Sequence, residues 1–146
     1  MASRVEDALR DGMSLFRRDP AAADAAFRAV LARDASALSA YFCLYKIHAY
    51  QGHFDEALGA AYAGLAEAAR QADLADDWRA WTREAVAAAP AEPARFALYT
   101  LKALAFIHLR RGQRAECRQY LLKLEELDAM HSIGGSVVAD LERGIA

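Results

Sequence analysis

The 146-residue chain has no asparagine, three prolines, two cysteines and three lysines (Lys46, Lys102 and Lys123). Each scarcity excludes something. Two cysteines, Cys43 and Cys117, cannot form the disulfide framework of a small secreted domain. Few prolines leave long helices uninterrupted. Val, Ile and Thr together number 11 against 36 alanines. β-branched residues build strands and alanine is the best helix former, so the composition predicts an all-α protein. No stretch approaches the ~18 uninterrupted apolar residues of a membrane span. Residues 1–11 carry Arg4, Glu6, Asp7 and Arg10 and no apolar signal core, so a cytoplasmic chain with reduced thiols is expected. There are 18 basic and 20 acidic side chains, a net charge of -2, without the basic excess of a non-specific nucleic-acid binder. At 55% hydrophobic the chain is too apolar for disorder, and its length suits one domain, 1–146.

What is present is a string of helical segments with recognisable ends. The first spans about Ser3 to Phe16, and Pro20 suits the opening turn of the second. Ala23, Phe27, Val30 and Leu31 share one face of that second helix, which ends near Asp34. Ser36 is the expected N-cap of a third helix, Ala37 to Gln51, and Gly52 supplies a left-handed exit. A fourth helix runs from Phe54 to Gln71. A fifth starts near Asp76-Asp77 and runs to Ala89, with Trp78 and Trp81 on one face as anchors. Pro90 and Pro93 mark a rigid loop before a sixth helix, Ala94 to Arg111. A seventh covers Gln113 to Asp128, and a short eighth covers about 136–143. Arginine supplies all but three of the 18 basic side chains, which with the alanine excess suggests a GC-rich, bacterial coding sequence.

Two blocks superpose at an offset of 60 residues. Tyr41-x2-Leu44-Tyr45-x2-His48 precedes Gly52, with Ala57 beyond; Leu101-x2-Leu104-Ala105-x2-His108 precedes Gly112, with Cys117 beyond. Large residues sit where a first helix packs on its partner, and small ones where the second must approach closely. This pattern, with Ala23-x3-Phe27 as a further second-helix half, resembles a degenerate tetratricopeptide repeat. The resemblance implies antiparallel hairpins at about 3–35, 37–71 and 94–128 stacked in a right-handed superhelix of about eight helices, with an extra helix at 73–89. It departs from the repeat at Tyr45 and Ala105, which replace the small first-helix glycine, and no closing proline follows.

Tyr41, Leu44, Tyr45 and His48 fall within about 100° of one another on the third helix and form its core face. Phe42, Lys46, Ala49 and Tyr50 form a second face about 130° away. On the sixth helix Leu101, Leu104, Ala105 and His108 make the core face, and Tyr99, Lys102, Phe106, Leu109 and Arg110 the second. The resemblance implies that Phe42, Lys46, Tyr50, Tyr99, Lys102, Phe106 and Arg110 line a partner groove. Aromatics there give contact area at low entropic cost and cations steer an acidic segment. Two alternatives stand beside it: burial of these faces under neighbouring helices, and a homodimer in which a second copy covers them. A chaperone-tail clamp of Lys, Asn and Arg is excluded by the missing asparagines.

Chemistry-bearing constellations are sparse. His48 and His108 hold equivalent positions, but no His-x3-His or Cys-x2-Cys spacing supplies further metal ligands. Cys43 and Cys117 read as packed small hydrophobes. Six basic residues lie between Arg95 and Arg118 against one acidic, Glu116; they suit either a helix C-terminus or an acidic partner. Residues 133–136 (Ile-Gly-Gly-Ser) lack the spacing and lysine of a phosphate loop. The expected function is a non-enzymatic protein–protein interaction module, an adaptor, scaffold or small chaperone like those of bacterial secretion systems. It needs no cofactor, metal or membrane. The alternative is a ligand-binding or enzyme domain with an internal pocket lined by His48 and His108. Because strand formers are scarce, circular dichroism should show the paired minima of helix; a single broad strand minimum would end the all-α reading.

Overall fold

The computed structural model describes residues 2–127, with side chains from residue 7 onward. Every regular element among them is helical. The elements are α1 (Ala2–Phe16), α2 (Pro20–Arg33), α3 (Leu38–Tyr50), α4 (Phe54–Ala72), a 3-10 turn (Trp78–Ala80), α5 (Arg83–Ala88), α6 (Ala91–Arg110) and α7 (Arg114–Glu126). The terminal helix expected at 136–143, His131 and the 133–136 loop lie outside the described residues. The backbone divides into two compact units, Met1–Glu67 and Ala68–Ala146, with the division inside α4.

In the first unit α1, α2 and α3 pack on one another. Asp19 caps α2 by accepting from Ala22 N at 3.1 Å, and Pro20 opens the helix where its missing N–H costs nothing. Ala23, Phe27 and Val30, at i, i+4 and i+7, face the core, as do Ala40, Leu44 and Ile47 of α3 and Leu9 of α1. Phe27 is fully buried, and its ring lies under Gly12; a Cβ there would stand 2.6 Å from Phe27 Cε1. Gly12 is the space into which the Phe27 ring fits.

The turns at Gly52 and Gly112 are built alike. Gly52 (φ +76°) donates to Ala49 O at 3.1 Å and His53 N to His48 O at 2.8 Å. Gly112 (φ +78°) donates to Leu109 O at 3.0 Å and Gln113 N to His108 O at 2.8 Å. This paired closure satisfies the last carbonyls of α3 and α6, and glycine takes the left-handed conformation without a Cβ clash. The next helix starts the same way in both places, with Ala57 N bonding His53 O and Cys117 N bonding Gln113 O. Ala57 and Cys117 are both fully buried.

In the second unit α6 and α7 form a hairpin. Leu101, Leu104 and Ala105 of α6 and Cys117 and Leu124 of α7 are sealed from solvent.

Three expected boundaries are corrected. No continuous fifth helix joins Asp76 to Ala89. Asp77 instead caps a 3-10 turn by accepting from Arg79 N at 3.0 Å, Trp81 is extended, and Thr82 caps the short α5 through Ala85 N at 3.1 Å. Asp and Thr favour such caps over helix interiors. Pro90 and Pro93 do not form a loop: Pro90 is the N-cap of α6 and Pro93 lies in its first turn, where amide protons have no intrahelical partner. Ser36 does not cap α3. Its backbone N–H and hydroxyl both bond the Asp34 carboxylate, leaving Ala37 at the cap position.

Gly12→Ala, Ala57→Leu and Cys117→Leu should each lower stability by ~1–3 kcal/mol through overpacking, Gly12→Ala by less because alanine recovers about 1 kcal/mol of helix propensity. Thermal melts of the three variants against the parent check this; parental melting of all three would refute the close approaches.

Candidate functional site

The residues read from sequence as partner-facing fall on α3 in the first unit and on α6 in the second. On α3, Lys46 is exposed and its ammonium lies 5.3 Å from the centroid of the half-buried Phe42 ring. Phe42 also meets Tyr45 edge-on at 5.4 Å. Tyr50 is 71% exposed and touches Phe16 of α1 at 6.4 Å between ring centroids. Pairing at i and i+4 follows from the helical repeat, which stacks side chains four apart.

On α6, Tyr99 lies between two cations, with the Arg95 guanidinium and the Lys102 ammonium each 5.5 Å from its ring centroid. Arg110 sits 5.8 Å from the Phe106 centroid. A hydrogen bond from Arg95 at 3.4 Å, together with its charge, holds the Tyr99 hydroxyl below its usual range. Leu109, placed by spacing on this same face, is instead buried. Tyr41, assigned to the core face of α3, is only half-buried and donates its hydroxyl to Ala35 O at 2.8 Å.

The two histidines are used inside their own units. His48 Nε2 bonds Asp24 Oδ1 at 2.7 Å, and Arg28 Nε donates to both oxygens of the same carboxylate at 3.1 and 2.9 Å. A carboxylate only accepts, so His48 carries a proton on Nε2. Burial alone would raise the Asp24 pKa, but the bonds from Arg28 and His48 outweigh it and hold the carboxyl below its usual range. His108 Nδ1 pairs with Gln113 at 2.8 Å, and its ring stacks on Tyr120 at 5.5 Å and 13°. An open cleft of about 490 Å³ lies between α5 and the start of α6, and neither histidine lines it. Among the described residues no three His, Cys, Asp or Glu side chains gather as a metal site requires. No helix among them is long and apolar enough to cross a membrane.

Neither cysteine is in a disulfide. Burial pushes the Cys43 thiol up to about 11, against a smaller lowering by Lys46, and Cys117 is fully enclosed. The Cys43 thiol is therefore not poised as a thiolate nucleophile.

One arrangement was not legible in the sequence. Lys123, on α7, is 9% exposed, and its ammonium donates to Arg79 O at 2.8 Å, Trp81 O at 3.0 Å and Glu126 Oε2 at 2.6 Å. Above it Trp78 stacks on Tyr120 at 4.5 Å, and Arg79 covers the outer Trp78 face at 4.6 Å. Trp81 donates its indole N–H to Ala75 O at 2.7 Å. The column Arg79–Trp78–Tyr120–His108 therefore pins the 3-10 turn to the α6–α7 hairpin. The apolar spacing of α7 placed Lys123 only next to Leu124; the two carbonyls it bonds are more than 40 residues away in sequence.

Lys123→Met keeps the stem and removes the donor, leaving two carbonyls short of a partner. A loss of ~1–3 kcal/mol is expected. The only two tryptophans flank the released carbonyls, so their fluorescence should shift red in native conditions. Asp24→Asn tests the half-buried His48–Asp24 pair. A depressed carboxyl stabilises the fold above its ordinary pKa of about 4 and loses that stabilisation as pH falls through the lowered value. The variant should melt earlier at pH 7 and show a flatter acid limb; superimposable pH–stability curves would dismiss the pair.

No protein-family model, curated protein or solved structure matches this chain.

Proposed function

We propose that this chain is a non-enzymatic protein–protein interaction module, an adaptor or small chaperone of tetratricopeptide-like build, that grips a protein or peptide segment with helical faces rich in cations and aromatics. The observation that carries this reading is the repeated surface pair. Phe42 with Lys46 on α3, Tyr99 with Lys102 and Phe106 with Arg110 on α6 each hold a cation against a partly exposed ring. Such pairs combine aromatic contact area, which is enriched where proteins bind proteins, with charge that steers association. Support also comes from His48 and His108, the best acid–base candidates, each of which has a partner within its own unit. A cytoplasmic, bacterial setting, no cofactor and an acidic, apolar-anchored segment complete the proposal.

The test is affinity capture from a bacterial lysate, then titration of the captured protein against parent and Lys46→Glu/Lys102→Glu. Melting should barely change, because surface charges contribute little to folding. Binding should weaken at least tenfold, about 1.4 kcal/mol, with a larger loss at low salt. Unchanged binding at both salt concentrations would remove these faces from the function.

A further inference from the structure

The partner-facing side chains of α6 follow a rule of their own. Arg95, Tyr99, Lys102, Phe106 and Arg110 are spaced by four, three, four and four residues. The aromatics recur after seven residues and the cations after seven and eight, so on an α-helix all five fall along one seam. Each ring is in contact with a cation of the same seam. Tyr99, Lys102 and Phe106 are half-buried, and Arg95 and Arg110 are exposed. Among the described residues neither Arg95 nor Lys102 meets a carboxylate. The sole acidic residue of α6 is Glu92, in its first turn. At its start the seam borders the cleft walled by Val86, Ala89, Ala94 and Leu98.

We propose that this seam docks an acidic amphipathic helix of a protein partner, with carboxylates seven residues apart and apolar side chains between them. The proposal rests on the interaction-module reading and specifies its occupant. Charge fixes the sign, because Arg95 and Lys102 are opposed by no carboxylate of the seam. Period fixes the conformation. Along α6, Arg95 and Lys102 are separated by about 10.5 Å of rise, and a docked helix repeats one face at the same interval, so contacts stay in step along the seam. An extended strand repeats its face every ~6.6 Å and falls out of step within one interval. Stacking nucleobases need open aromatic faces, whereas these rings are half-buried and already faced by cations.

The experiment measures fluorescence anisotropy of a labelled synthetic helix titrated with the full chain. The probe has three heptads, about 21 residues, with Glu at the first and Leu at the fifth position of each. The control is a scramble of identical composition. The periodic peptide should bind at low salt, and the scramble at least tenfold more weakly. Lys102→Glu and Arg95→Gln should each cost at least tenfold, while Arg33→Glu, an exposed change on α2, leaves binding as in the parent. Circular dichroism melts of each variant establish that it is folded, and Arg95→Gln decides should Lys102→Glu be unstable. Equal binding of periodic and scrambled peptides overturns the proposal. So does displacement of the peptide by a single-stranded oligonucleotide at equal concentration, or self-association that Lys102→Glu abolishes. Should the peptide fail while the captured partner still loses affinity on Lys102→Glu, the helical occupant falls and the module stands. Should the captured partner also ignore Lys46→Glu/Lys102→Glu, both fall.

Discussion

The left-handed turns at Gly52 and Gly112 decide how the helices of this chain can meet. Each lets the chain end a helix with its last carbonyls bonded and start the next within a few residues. So short a reversal forces the start of the second helix close to the core, where only a small side chain fits. Ala57 and Cys117 fill that role five residues beyond each glycine, and both are fully buried. The Gly12–Phe27 contact applies the same constraint between α1 and α2: a helix approaches closely where a side chain is missing. Apolar residues at i, i+4 and i+7 do the rest, since burial of a side chain such as Phe27 is worth ~1.5–3 kcal/mol.

Buried and half-buried polar groups tie elements together. Asp24 gathers Arg28 and His48, joining α2 to α3. His108 is held between Gln113 and Tyr120 at the α6–α7 turn. Lys123 gives its ammonium to two backbone carbonyls in and just after the 3-10 turn. A buried donor or acceptor left unpaired costs more than a formed bond gains, so such groups tie specific segments together. The surface shows the opposite habit. Cations on α3 and α6 rest on aromatic rings, which orders their long side chains.

Trp78 and Trp81 are three apart and suggested a helical face, yet the segment bends into a 3-10 turn and an extended residue. Asp77 and Thr82 offer local caps, and Lys123 supplies the distant donor that makes the bend favourable. Pro93 resembled a loop marker because proline breaks helix interiors, but in a first turn it breaks nothing. Ser36 had the chemistry of a cap, and Asp34 took its hydroxyl. In each case a residue had two legitimate uses, and the local pattern alone did not choose between them.

The all-helical class, the ends of α1, α2 and α4 to within a residue or so, and the equivalence of the Gly52 and Gly112 turns were settled by local rules: alanine excess, 3.6-residue periodicity and glycine's access to positive φ. So was the pairing of cations with aromatics on α3 and α6, since residues three and four apart on a helix are neighbours in any fold. The burial of Leu109, the roles of His48 and His108, the broken fifth segment and the Lys123 clasp were decided only by tertiary structure. His48 and Lys123 depend on groups 24 to 44 residues distant, His108 on a turn residue and a ring across its hairpin, and Leu109 on the wall its helix is packed against. Helical periodicity says which side chains share a face; which faces are covered follows from how the helices pack.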